Sequence, residues 1–146
     1  MATEQIILCI QQKLVLMTNI LNISKQVEVR CSQPEIELGD LLQKRKLFMD
    51  RIDKCNALIS KLTDDLQPKD KERMKQLLNG KADPTGCSEE ELSGLQSSQK
   101  YNDYLQQAIA LDKNATQFMT KQYDEMKITI NKQRKKHGNM SMYNVR

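Results

Sequence analysis

Eight positions spaced alternately three and four residues apart run through the second quarter of the chain without a break. They are Leu38, Leu41, Arg45, Phe48, Ile52, Cys55, Ile59 and Leu62. This spacing places all eight side chains on one face of an α-helix, and only the arginine is polar. The repeat predicts a long amphipathic helix. Ser32-Gln33-Pro34-Glu35 has the form of a capping box with proline in the first turn, so we expect the helix to start there.

Two further segments carry the same helical period. Apolar residues recur in the first at Ile7, Ile10, Leu14, Met17 and Leu21. They predict a helix from about Thr3 to about Cys31. In the other, the stripe comprises Tyr104, Ala108, Leu111, Ala115 and Phe118 and extends less cleanly through Met126 and Ile130. That helix should begin at a second capping box, Ser88–Glu91, and end near Arg134.

The glycines and prolines divide these segments. Pro68 to Asn79 predicts a short helix ended by Gly80, and Lys81 to Cys87 a surface loop. We therefore expect an all-α fold: an elongated antiparallel helical bundle or coiled coil of three long helices and one short helix. At 1.5 Å per residue the last helix would be ~70 Å long against ~45 Å for the first two, so its C-terminal end should overhang the bundle. Gly94 leaves open whether that helix is continuous or starts late.

The net charge of +4 has an uneven distribution. The residues from Gln133 onward contain Arg134, Lys135, Lys136 and Arg146 and no acid, so residues 1–132 are neutral. We predict a helical domain over residues 1–132 and a basic, flexible tail over 133–146. The tail also holds Met140, Met142, Tyr143 and Val145. Such a composition fits either a docking peptide or an inert tail.

Several classes of function have little support in these residues. The single histidine, His137, lies in the basic tail, and no glycine-rich phosphate loop or metal-ligand spacing is present, so we expect no catalytic residue, metal or cofactor. Four dispersed cysteines are expected to be reduced packing residues. The N-terminus lacks a signal peptide and the longest uncharged run is too short for a span, which predicts a cytoplasmic protein without a membrane span. A few tail charges make nucleic-acid binding a minor alternative.

The methionines suggest binding to apolar partners, because flexible thioethers adapt to more than one surface. Met17 and Met49 are expected in the core. Met119 and Met126, late in the last helix, either pack in the core or line a groove for a partner helix.

The predicted second helix, Asp40 to Asp53, resembles the LL-x-x-R-x-x-L-x-x-x-I signature of the FlgN-type flagellar export chaperones through Leu41, Leu42 and Arg45. In the last helix, Ala110 to Asn114 resembles the LD-x-x-N segment of that family. The stretch from Ile128 to Lys136 and the following Met142-Tyr143 resemble its closing basic stretch and tyrosine.

The resemblance implies a non-enzymatic cytoplasmic chaperone. Its partners would be the hook-filament junction proteins, bound through their C-terminal helices, and export gate or ATPase components of the flagellar type III apparatus. By position, client and export-gate binding would fall on Met119, Met126, Ile130, Arg134, Lys135, Lys136, Met142 and Tyr143. Tyr123 competes with Tyr143 as the docking tyrosine. The alternative is a structural coiled-coil scaffold or dimerisation module, and a homodimer is possible on either hypothesis.

Overall fold

The structure, a computed structural model, describes residues 2–31 and 37–136 and contains four α-helices. They are α1 (Ala2–Arg30), α2 (Gly39–Asp64), α3 (Pro68–Leu78) and α4 (Glu89–Lys136). A single 3-10 turn, Pro84–Gly86, lies between α3 and α4. The described ranges contain no strand, and the all-α prediction is confirmed.

Helix α1 packs along its length against both α2 and α4. Near its N-terminus, Ile6 and Ile10 share a cluster with Ile59 and Leu95. Near its C-terminus, Val27 and Cys31 join a cluster with other residues of the long helices, namely Leu38, Leu41 and Ala115. Helix α2 therefore runs antiparallel to α1, and α4 runs parallel to it.

The heptad of α2 faces this core over its whole length. Every one of its eight positions is buried or half-buried, from Leu38 to Leu62. Arg45, the polar exception, donates from Nη1 to Asp112 Oδ1 on α4 at 2.6 Å. The repeat could be read correctly from sequence because its period matches the helix closely.

The predicted start of α2 is wrong by several residues. The helix begins at Gly39, after a Leu38 N-cap whose side chain makes no capping bond. Glu37 stays outside the helix, where its carbonyl accepts a hydrogen bond from Arg30 Nη1 at 3.3 Å. The capping box at Ser32–Glu35 lies outside the described residues.

Helix α3 and the loop that follows close one end of the bundle. Met74 and Leu77 pack into the same cluster as Ile6 and Leu95. Gly80, at φ +72°, ends α3 in the left-handed conformation that glycine adopts without strain. The second capping box is confirmed, since the backbone N–H of Ser88 donates to Glu91 Oε1 at 3.1 Å and the Glu91 N–H donates to Ser88 Oγ at 3.2 Å.

Helix α4 is continuous through Gly94 and runs for 48 residues, which corresponds to a length of about 72 Å. A Cβ atom built on Gly94 would lie 3.1 Å from Cγ1 of Ile7. The glycine therefore allows α1 and α4 to approach closely. The predicted boundary between domain and tail, at residues 132 and 133, falls inside α4.

Met49, which was expected in the core, and Phe118, which was placed on the apolar stripe of the last helix, are both exposed. Met49 is 50% exposed, because it lies one position beyond Phe48 and 100° around α2 from it. Phe118 is 38% exposed, because Ala115 and the half-buried Met119 occupy the core-facing side at that end of α4. Met17 is buried as predicted.

Helix α1 is the most apolar element. An 18-residue window has a mean hydropathy of 1.5, so by length and composition alone the helix qualifies as a candidate membrane span. Of that window, 44% is buried inside the protein, where α1 contacts α2 and α4. Core helices pass the same test, and the absence of a span stays a prediction.

Candidate helix-binding surface

The C-terminal part of α4 extends beyond the rest of the bundle. Met119 is the last α4 residue packed against a core cluster, beside Val27 and Leu38. Lys136, the last residue of α4, lies 17 positions further along, a distance of about 26 Å. We call residues 120–136 the overhang.

The described side chains of the overhang, those of residues 120–133, lie outside the core clusters. From Tyr123 to Gln133 every residue is exposed, and Gln122 is the last that is half-buried. Four large apolar side chains stand among them: Ile128, at 55% exposure, and a group of three, Tyr123 at 64%, Met126 at 63% and Ile130 at 44%. Tyr123, Met126 and Ile130 follow Met119 at intervals of four, three and four residues. At 100° per residue, all four side chains fall within an arc of about 60° around the helix axis. We call Tyr123, Met126 and Ile130 the overhang stripe.

The surroundings of the stripe are charged. Lys127 Nζ lies 6.0 Å from the centroid of the Tyr123 ring, at the limit of a cation–π contact. Ile128 points away from the stripe, on the opposite side of α4. An apolar stripe with polar flanks, on an exposed part of a helix, is suited to packing against a second helix.

The predicted site residues fall into three groups. Met119 is half-buried at the base of the overhang, and Met126 and Ile130 lie on the stripe. The basic cluster, residues 134–136, forms the last helical turn, although its side chains lie outside the described part of the structure. Met142 and Tyr143 also lie outside the described residues, so the choice between Tyr123 and Tyr143 stays a prediction.

A second surface was missed from sequence. An open groove of about 420 Å³ lies between α2 and α4, with Met17 and Ile20 of α1 as its floor. Met49 and Ile109 are at its edges, each about half exposed. Each lies one position beyond a core stripe residue, Phe48 or Ala108. An apolar residue adjacent to a heptad position is the signal that could have located this groove.

One edge of the α2/α4 groove has a distinct electrostatic environment. Tyr101 lines it, and Lys13 Nζ lies 4.3 Å from the centroid of the Tyr101 ring. Burial, followed by the nearby Asp53 carboxylate, raises the pKa of Tyr101. Burial also lowers the pKa of Lys13, whose charge faces an aromatic ring.

Comparisons with protein-family models, with curated proteins and with solved structures find no match to this chain.

Proposed function

We propose that this protein is a flagellar export chaperone of the FlgN type. It binds the C-terminal helices of hook-filament junction proteins in the cytoplasm, prevents their premature association and delivers them to the flagellar type III export apparatus. The proposed function is non-enzymatic and requires no cofactor. The observation that supports it most directly is the overhang stripe. Its three side chains, Tyr123, Met126 and Ile130, are exposed on the part of α4 that extends beyond the bundle.

Apolar side chains exposed to water gain free energy when a partner covers them. Each large apolar side chain transferred from water into a contact contributes about 1.5–3 kcal/mol. A stripe of three, with Met119 at its base, is the size of contact that one amphipathic client helix supplies. The contact is small enough for release at the export apparatus, because ordering the client offsets part of the gain.

Two motif residues support the resemblance independently of the stripe. Arg45 belongs to the LL-x-x-R segment and Asp112 to the LD-x-x-N segment, and the two form an ion pair between α2 and α4. Segments that lie 67 residues apart in the chain are therefore in direct contact. The proposal assumes a bundle of three long helices, α1, α2 and α4, with α3 as the short fourth.

The proposal is tested by removing the apolar groups while keeping the helix. Met126→Gln/Ile130→Gln should weaken binding of a junction protein's C-terminal helix by at least about tenfold, because two buried side chains are lost. Ile128→Gln is the matched control, since Ile128 is exposed on the opposite side of α4. Titration calorimetry with a peptide of that helix, from the same genome, measures the affinities. Equal binding by the double variant and the control would sink the proposal.

A structural scaffold remains the second candidate, because the overhang stripe would also serve self-association. Sedimentation at low micromolar concentration separates the two. A scaffold forms a stable oligomer that Met126→Gln/Ile130→Gln dissociates, whereas a client chaperone sediments alike with and without these substitutions.

A further inference from the structure

The α2/α4 groove occupies the place where a fourth helix would complete the bundle. Helix α1 contacts α2 and α4 along its length, whereas the backbones of α2 and α4 approach one another at few points. Helices α2 and α4 therefore both pack on α1 and leave a gap between them. The floor of this gap is formed by the buried side chains of Met17 and Ile20.

The groove and the overhang stripe lie on the same face of α4. Leu105, Ala108 and Asp112 line the groove. Tyr123, Met126 and Ile130 follow them at an interval of 18 residues each, which is five helical turns of about 3.6 residues. The three pairs therefore point in the same directions, so the groove and the overhang stripe lie in line along one face of α4.

On the α2 edge of the groove, two aspartates carry negative charge that no ion pair within the described residues neutralises. Lys46 lies toward one end, and Asp50 and Asp53 toward the other. Neither of these two carboxylates is in an ion pair within the described residues, whereas Asp112 across the groove is paired with Arg45. Lysine or arginine on the bound helix, opposite Asp50 and Asp53, would complement this edge.

We propose that the α2/α4 groove and the overhang stripe form one continuous docking surface for a single amphipathic helix of the export client. That helix has a basic edge facing Asp50 and Asp53. From Tyr101 to Ile130 the surface spans 29 positions of α4, or about 44 Å, so the client helix is about 29 residues long. This inference rests on the proposed function and adds the site, length and charge of the bound segment.

The experiment compares two pairs of substitutions on one probe, a 29-residue peptide from the C-terminal helix of a junction protein. Met49→Gln/Ile109→Gln alters the groove, and Met126→Gln/Ile130→Gln alters the overhang. Leu58→Gln is the control, because Leu58 is about half exposed on the side of α2 away from the groove. All replaced side chains are exposed by more than 40%, and circular dichroism melting verifies that each variant folds.

Each pair should weaken binding about tenfold and the control should leave it unchanged. Loss of binding in the overhang pair alone overturns the shared surface but leaves the proposed function standing. Unchanged binding in both pairs overturns both. If the groove pair changes self-association in sedimentation and not peptide binding, a second copy occupies the groove and the inference is wrong.

A charge reversal tests the chemistry of the bound helix. Asp50→Lys/Asp53→Lys should weaken peptide binding at least about fivefold and reduce its salt dependence, because two attractive contacts become repulsive. Asp64→Lys/Asp65→Lys, the same change at the end of α2, is the control. Equal affinity in both charge variants, or tighter binding in the groove variant, contradicts a basic client edge.

Discussion

At the scale of single residues, Glu91 joins three parts of the chain. Its carboxylate accepts hydrogen bonds from Arg73 on α3 and from the Ser88 backbone N–H that caps α4. Chiefly through the Arg73 hydrogen bond, the pKa of Glu91 falls below its ordinary value of about 4.5. Since the folded-state pKa is the lower one, the ionised carboxylate stabilises the fold above that ordinary value, and the contribution is lost as pH falls through the folded-state pKa.

Glu91→Gln keeps the capping box but removes the charge. We expect the wild type to be more stable than the variant at pH 7, by a few tenths to ~1 kcal/mol, because the ion pair is partly exposed and screened by water. The difference should shrink as pH falls below about 4.5 and through the lower folded-state pKa of Glu91. Urea unfolding followed by circular dichroism measures it. A stability difference independent of pH would show that the charge contributes nothing.

At the scale of the elements, the approach of α1 and α4 depends on Gly94. A Cβ there would lie 3.1 Å from the buried Ile7 side chain, whereas one on Gly39 would have no atom within 4 Å. Gly94→Val should lower the free energy of unfolding by roughly 1–3 kcal/mol through overpacking. Gly39→Val, at the start of α2, should be close to neutral. Urea unfolding compares them, and an equal effect at both glycines would mean that α1 and α4 are not in close contact at Gly94.

At the scale of the whole molecule, one continuous helix sets the longest dimension. A compact domain of 146 residues has a radius of gyration near 15 Å. The 48 residues of α4 alone extend about 72 Å, so small-angle X-ray scattering should give a clearly larger radius, about 20 Å. A measured value near 15 Å would require α4 to fold back, and the overhang would not exist.

Sequence alone determined the helices and their inward faces. The heptad of α2, the capping box before α4 and the glycine that ends α3 were all readable, because each depends on the period of a helix or on backbone bonds within a few residues. The overhang of α4 was also predictable, since it follows from helix lengths. The start of α2 at Gly39 was not, because its N-cap residue Leu38 makes no side-chain capping bond and the preceding Glu37 carbonyl is bonded by Arg30 of α1.

Only the tertiary structure decided which surfaces are open. Met49 and Ile109 each lie one position beyond a core residue, and the separation between α2 and α4 decides that such side chains stay uncovered. The contact between Arg45 and Asp112, and the continuity of α4 at Gly94, likewise depend on how distant segments pack. Periodicity specifies which side of each helix is apolar. The packing of the three long helices against one another decides which of those apolar side chains are covered and which stay exposed.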